Sequence, residues 1–257
     1  RAAYGASKHA LIGFFDSGIG GLTVVREFKR RAPQVPLLYF GDTARTPYGN
    51  KSPEVVAEYG LEATRFLVEH GATAVVVACN TVSAVGLASI RHAYPELPVF
   101  DVITPAVQAV KALEKIHRVG IMGTRALVGS GVYQQMLKGY KVFAFPAPLL
   151  VPLVEEGWLD APETKRIVKH YLMPFKQVQV EALVLACTHY PLLKTLIQAR
   201  IPKRTKLIDP AAATTQAVAA WCEQNQDKLE AAKQSRYFVT DVTPHTQDIA
   251  CRFLGRD

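Results

Sequence analysis

The chain is short of the features that mark several broad protein classes. It has no apolar run approaching the ~20 residues that a membrane helix requires, and its opening, RAAYGASKHA, has neither the apolar stretch nor the cleavage site of a secretory signal. Residues 1–10 are therefore expected to be a flexible leader, and the protein to be cytoplasmic and to have no membrane partner. Cysteine is scarce. Cys79, Cys187, Cys222 and Cys251 show none of the CxxC pairing that builds zinc or redox sites, and in a cytosolic setting they are expected to be reduced thiols. Acidic residues are outnumbered, 22 against 30 Lys and Arg, which gives a net charge of +8 and raises the question of nucleic acid. The basic residues are scattered, however, as in Arg26-Lys29-Arg30-Arg31, Lys165-Arg166-Lys169 and Lys203-Arg204-Lys206. No RRM, KH or helix-turn-helix pattern accompanies them, so no nucleic-acid partner is expected. Solvated faces account for the charge; a general attraction for small dicarboxylates is the minor alternative. No Gly/Ser-rich linker interrupts the chain, so whatever units it forms are expected to pack against each other.

What the sequence does contain is a strand and helix alternation along its whole length. With 257 residues, 49% hydrophobic and 20% charged, there is room for one large or two medium α/β domains. Strands are expected at Leu11–Phe15, Val35–Gly41, Ala72–Ala78, Leu97–Val102, Arg118–Met122, Lys141–Phe145, from Ala182, and at Lys206–Ile208 and Arg236–Thr240. Helices are expected over Leu22–Arg31, Pro53–His70, Thr81–Tyr94, Thr104–Ile116, around Ser130–Lys138, and over Pro148–Gly157, Pro162–Gln177, Ala211–Ala232 and Pro244–Leu254. Such alternation predicts parallel sheets wound on both faces. The fold class is therefore α/β, with two pseudo-symmetric doubly wound parallel-sheet domains and the active site in the cleft between them. The pattern restarts near Ile103, which divides the chain into 11–103 plus 211–257 and 104–210. The return of the last strand to the first sheet is inferred from symmetry.

One stretch occurs twice. Ala182–Leu193, ALVLACTHYPLL, is an apolar strand emptying into Cys187, Thr188 and His189; Ala74–Ala84, AVVVACNTVSA, has the same layout around Cys79, Asn80 and Thr81. The two cysteines lie 108 positions apart, about one small α/β domain. A lone cysteine is more often a small buried hydrophobe, the role left to Cys222 and Cys251. Cys79 and Cys187 depart from it because hydrogen-bonding residues follow each at once. A thiol beside a carboxylate or histidine can be poised as thiolate or as acid; Asp16 could serve Cys79, and His189 could serve Cys187. Two thiols on opposite sides of a Cα–H bond would invert the carbon without a cofactor. Asp16 opens the turn Asp16-Ser17-Gly18-Ile19-Gly20-Gly21, which is neither a dinucleotide fingerprint nor a Walker A loop; as the residue after a strand it could equally cap the next helix.

Four motifs together resemble bacterial glutamate racemase, of the aspartate/glutamate racemase superfamily. They are Asp16–Leu22, the loop Gly41-Asp42-Thr43 with Pro47-Tyr48-Gly49, Ala78–Thr81, and Cys187–Pro191. The resemblance runs from about Leu11 to the last helix. It implies that Cys79 and Cys187 are the proton donor and acceptor pair, Cys79 facing D-glutamate and Cys187 L-glutamate. Asp16 would assist the first thiol, His189 and Glu155 the second. Asp16, Ser17, Tyr48, Gly49, Asn80, Thr81, Thr124, Thr188 and His189 would line the substrate. The resemblance further implies no cofactor, no metal, a homodimer, and a role in supplying D-glutamate for peptidoglycan. One position departs from the family's pattern: Thr124 matches the first of two threonines, and Leu127 stands in the place of the second, which puts a carboxylate contact there in question.

Other readings remain open from sequence. An aspartate or other amino-acid racemase could use the same two thiols. A hydrolase could use Cys187 as nucleophile and His189 as base, although residues so close in sequence at a strand end are expected to diverge. A non-catalytic protein could bind a small acid.

Overall fold

The computed structural model describes residues 11–225 and 234–255. The expected leader, residues 1–10, lies outside them, as does the part of the expected helix Ala211–Ala232 beyond Asn225. Nine strands among the described residues form two sheets, and every strand pair is parallel. In chain order they are β1 (Ile12–Asp16), β2 (Leu37–Gly41), β3 (Ala74–Val77), β4 (Val99–Asp101), β5 (Arg118–Gly123), β6 (Lys141–Pro146), β7 (Ala182–Ala186), β8 (Lys206–Ile208) and β9 (Arg236–Val239). The central strands are apolar runs without alternation because helices cover both faces of each sheet: every residue of β1, β2, β3 and β7 is buried.

The first sheet has the order β4-β3-β1-β2-β9 and the second β6-β5-β7-β8. In the first, β1 is followed on one side by β2 and on the other by β3, so the winding reverses between β1 and β3. In the second it reverses between β5 and β7. Open α/β sheets bind ligands at the carboxyl ends of strands flanking such a reversal. The four strand ends concerned lead into Asp16, Cys79, Thr124 and Cys187. The chain passes to the second sheet after β4 and returns through helix Pro210–Gln224, which packs on helices Leu22–Arg31 and Ile103–Lys111. β9 then pairs with β2, Leu38 opposite Arg236.

One apolar core, with Phe14, Phe28, Leu185 and Phe253 in it, runs from the first sheet to the second. Burying each such side chain contributes roughly 1.5–3 kcal/mol. Two satellite cores lie under the outer helices, one with Phe15, Leu38 and Val77, the other with Ile121, Leu127 and Tyr133.

Two expected helices are broken. Thr81–Tyr94 is two helices, Asn80–Val85 and Leu87–Ala93, because Gly86 lies against the backbone of helix Pro53–Glu69, where a Cβ would sit 3.2 Å from the Ala57 Cα. The helix expected around Ser130–Lys138 is Arg125–Ser130 and Val132–Met136, separated by Gly131 at φ 67°, a left-handed stop that glycine adopts readily. Pro148–Gly157 shortens to Leu150–Glu155.

Candidate functional site

The site grows from the four strand ends. β1 ends on Asp16, whose side chain is fully buried. Its Oδ2 accepts a hydrogen bond from the Gly18 N–H (3.1 Å), while Oδ1 has no partner among the described residues. The helix that follows has Gly21 at its N-cap and no side-chain cap, so Asp16 holds the turn and does not cap the helix. Burial raises the pKa of Asp16, and the charge of His189 acts in the opposite sense.

Beside it, β3 runs into Cys79 at the start of helix Asn80–Val85. Burial pushes the Cys79 thiol up to about 12, and the neighbouring Asp16 charge adds to the rise. Cys79 is therefore a protonated thiol at neutral pH. Asn80 Oδ1 is buried without a partner, and Thr81 Oγ1 shares a 2.9 Å hydrogen bond with Thr124 Oγ1 at the end of β5.

On the second sheet the backbone turns as soon as β7 ends, with the Tyr190 N–H donating to the Cys187 carbonyl at 3.2 Å. That turn carries Cys187 and His189 to the same side, and Cys187 Sγ stands 3.8 Å from His189 Nδ1. The expected divergence of the two residues holds for an extended strand and fails for a turn. His189 Nε2 lies 2.9 Å from Glu155 Oε1 at the end of helix Leu150–Glu155. Burial lowers the His189 pKa, but the hydrogen bonds to Cys187 and Glu155 outweigh it and raise the group to about 10. The imidazole is thus an imidazolium at neutral pH, with one N–H aimed at the Cys187 sulfur and the other at Glu155. The Phe253 ring stands edge-on to it, centroids 5.2 Å apart.

These groups meet in one cavity. Ser17, Tyr48, Gly49, Cys79, Asn80, Thr81, Thr124, Cys187, Thr188 and His189 all line it, so both thiols face the same enclosed space of about 30 Å³, room for about one water. Asp16 and Glu155 are not on its wall. Asp16 lies beneath, against the turn, and Glu155 reaches the site through His189 and lines an adjoining groove of about 460 Å³. Thr46, Pro47 and Val151 also line the cavity and were not foreseen. Pro47 and Thr46 adjoin the Pro-Tyr-Gly motif that signalled this loop; Val151 carries no local signal. Leu127 points away from the cavity into the satellite core, 1% exposed, while its N–H donates to Thr124 Oγ1 at 3.2 Å. Among the described residues no group of three or more His, Cys, Asp or Glu side chains is placed to hold a metal ion.

The two sheets' strand ends meet closely because two glycines leave room. A Cβ on Gly20 would lie 2.3 Å from Thr188 Oγ1 and 2.6 Å from the His189 ring, and one on Gly49 would lie 2.7 Å from Thr124 Cβ.

Comparison with known proteins agrees with this architecture. The Asp/Glu/Hydantoin racemase family model matches residues 22–218. The glutamate racemase of Syntrophus aciditrophicus is 41% identical over 253 residues, covering 95% of this chain and 93% of that protein. Among solved structures, the glutamate racemase isoform RacE1 of Bacillus anthracis superposes with a TM-score of 0.91 at 32% identity, covering 97% of this chain and 96% of the other. That of Francisella tularensis in complex with D-glutamate superposes with a TM-score of 0.89 at 32% identity, covering 97% and 95%. A chain that shares this sequence over nearly its full length, and both sheets with these relatives, belongs to the Asp/Glu/hydantoin racemase family and, within it, to the glutamate racemases.

Proposed function

We propose that this enzyme interconverts L- and D-glutamate by two-base proton transfer at Cα, with Cys187 and Cys79 on opposite faces of the carbon and no cofactor or metal. The observation that carries this reading is that both thiols line one small cavity, each beside its own titratable helper. Racemisation through a planar intermediate needs one group deprotonated and the other protonated at the same moment. The site supplies that asymmetry: a protonated thiol at Cys79, and at Cys187 a sulfur facing the N–H of an imidazolium, which favours the thiolate. Cys187 would take the α-proton of L-glutamate while Cys79 delivers one to the other face; the reverse protonation state would serve D-glutamate.

The rest of the wall suits an amino acid with two carboxylates. Buried acceptors without partners, Asp16 Oδ1 and Asn80 Oδ1, suit an ammonium group. The hydroxyls of Ser17, Thr81, Thr124 and Thr188 can donate to carboxylates. The D-glutamate complex of the Francisella relative supports the same substrate here. The cavity holds far less than a glutamate, so the site must open to admit it.

The same reading extends to a cytoplasmic homodimer supplying D-glutamate for peptidoglycan. It also divides the chain into one domain of residues 11–103 with 211–257 and another of 104–210. The decisive experiment incubates the enzyme in deuterated water with L-glutamate, D-glutamate and aspartate, and follows rotation and Cα deuterium. Exchange and loss of rotation with glutamate are expected, unaffected by chelators. Exchange of aspartate alone would overturn the substrate assignment. The 3.8 Å contact of Cys187 with His189 also fits a thiol hydrolase, a reading that requires Cys79→Ser to retain full activity.

A further inference from the structure

Asp42 takes no part in the chemistry above, yet it is a fully buried carboxylate with both oxygens engaged. Oδ2 accepts from the Tyr48 hydroxyl and from Arg45 Nε (2.6 Å), and Oδ1 accepts from Thr240 Oγ1 (2.9 Å). Burial holds the Tyr48 phenol well above its ordinary pKa, with Asp42 as the next cause, so Tyr48 is the donor. From Asp42 the network spreads outward. Arg45 Nη1 donates to Glu62 Oε2 (2.5 Å), and the guanidinium lies 3.9 Å from the centre of the Tyr59 ring, both on helix Pro53–Glu69.

The end of β9 closes the other side. Thr240 Oγ1 accepts from the Ala44 N–H (2.9 Å), Thr43 Oγ1 donates to the Asp241 carbonyl (2.7 Å), and the Asp241 N–H donates back to Thr43 Oγ1 (2.8 Å). Residues 42–50 are therefore fastened from behind to an element some two hundred positions later. The front of that loop is the cavity wall: Tyr48 and Gly49 face the thiols, and Gly49 sits against Thr124. The loop carries no group that moves a proton. Its contribution is to hold the wall still, so that substrate binding does not have to order it.

We propose that Asp42, backed by Thr240, is a positioning residue that fixes the Tyr48–Gly49 wall for glutamate. This role rests on the glutamate reading, and its test separates the two. Asp42→Asn, Thr240→Val and Thr240→Ser are made in the full chain; kcat and KM are measured for both enantiomers, and amide hydrogen exchange is followed by segment. Asp42→Asn leaves an amide N–H facing one of the three donors. KM is expected to rise about tenfold in that variant, as loss of one charge-assisted hydrogen bond implies, and about threefold in Thr240→Val. In both, kcat stays within about twofold, and Thr240→Ser, which keeps the hydroxyl, restores the parent values. Exchange is expected to quicken over residues 42–50 and nowhere in β1 or β3. Unchanged exchange in that segment, an unchanged KM, or a fall in kcat with KM held overturns the proposal. Should Asp42→Asn fail to fold, the Val and Ser pair at the exposed Thr240 decides. If the parent enzyme does not racemise glutamate, the glutamate reading fails, and the exchange data alone decide whether Asp42 positions the loop.

Discussion

Cys79 and Cys187 end equivalent strands beside equivalent reversals in their two sheets, yet their surroundings are opposite in charge. Cys79 has a buried carboxylate, Asp16, for a neighbour, and its pKa is pushed up to about 12. Cys187 has the His189 imidazolium 3.8 Å away, itself braced by Glu155. A repeated fold gives the two sulfurs matching positions; three side chains outside the repeat give them different protonation. A two-base racemase needs both, since two identical thiols would be two acids or two bases. The difference between the sites is thus as much a part of the chemistry as their likeness.

The strongest way to break this comparison is to remove each thiol in turn. Cys79→Ser and Cys187→Ser should each lower racemisation by about a thousandfold or more. Cys79→Ser should still exchange the α-proton of L-glutamate with solvent deuterium, and Cys187→Ser that of D-glutamate, read by mass spectrometry. Exchange of both enantiomers by one variant would mean that the thiols do not stand on opposite faces.

Next in size is the brace behind His189. Glu155→Gln should reduce kcat by roughly tenfold to a hundredfold, with an effect on pH that a packing defect would not give. In the parent the His189 pKa is raised to about 10 against a reference of 6.5, so the charged site persists at neutral pH and is lost as pH rises through about 10. The stability this pairing adds is likewise complete below pH 6.5 and disappears through about 10. Without Glu155 one cause of the rise is gone, and the alkaline limb of kcat should move down by about one unit. A limb that stays in place would assign it to another group.

Gly20→Ala tests the contact between the two sides. Its Cβ would overlap Thr188 and His189, and a loss of about 1–3 kcal/mol in stability is expected by denaturant titration. The smallest effect belongs to Asp16→Asn. Removing the carboxylate should lower the Cys79 pKa from about 12 by about one unit, visible in the thiolate ultraviolet absorbance. A rise instead would show that Asp16 is neutral in the folded state.

Much of the scaffold was legible because buried parallel strands are written as unbroken apolar runs, such as VVVA before Cys79 and LVLA before Cys187. The two thiols were legible because the run stops at each in favour of polar residues. What escaped was set by packing between distant parts of the chain. Gly86 splits a helix because another helix presses on it, and Gly131 takes a left-handed conformation that periodicity does not record. The approach of His189 to Cys187 depends on a turn of three residues where an extended strand was assumed. Val151 reaches the cavity from a helix with no motif, and Thr240 meets Asp42 across 198 positions. The open question at Leu127 dissolves in the fold, since that side chain belongs to a core and only its N–H serves the turn.

The two glycines at the seam also set a gauge. Gly20 rests on Thr188 and His189, and Gly49 rests on Thr124, so backbone from one side seats on side chains of the other at two points flanking the cavity. Seats of this kind act as mechanical stops: however the site opens to take in its ligand, it can shut only as far as these contacts allow. The span between the two sulfurs at closure is then a property of the polypeptide and not of whatever lies between them, and a molecule is selected by whether it fits a gap of fixed width.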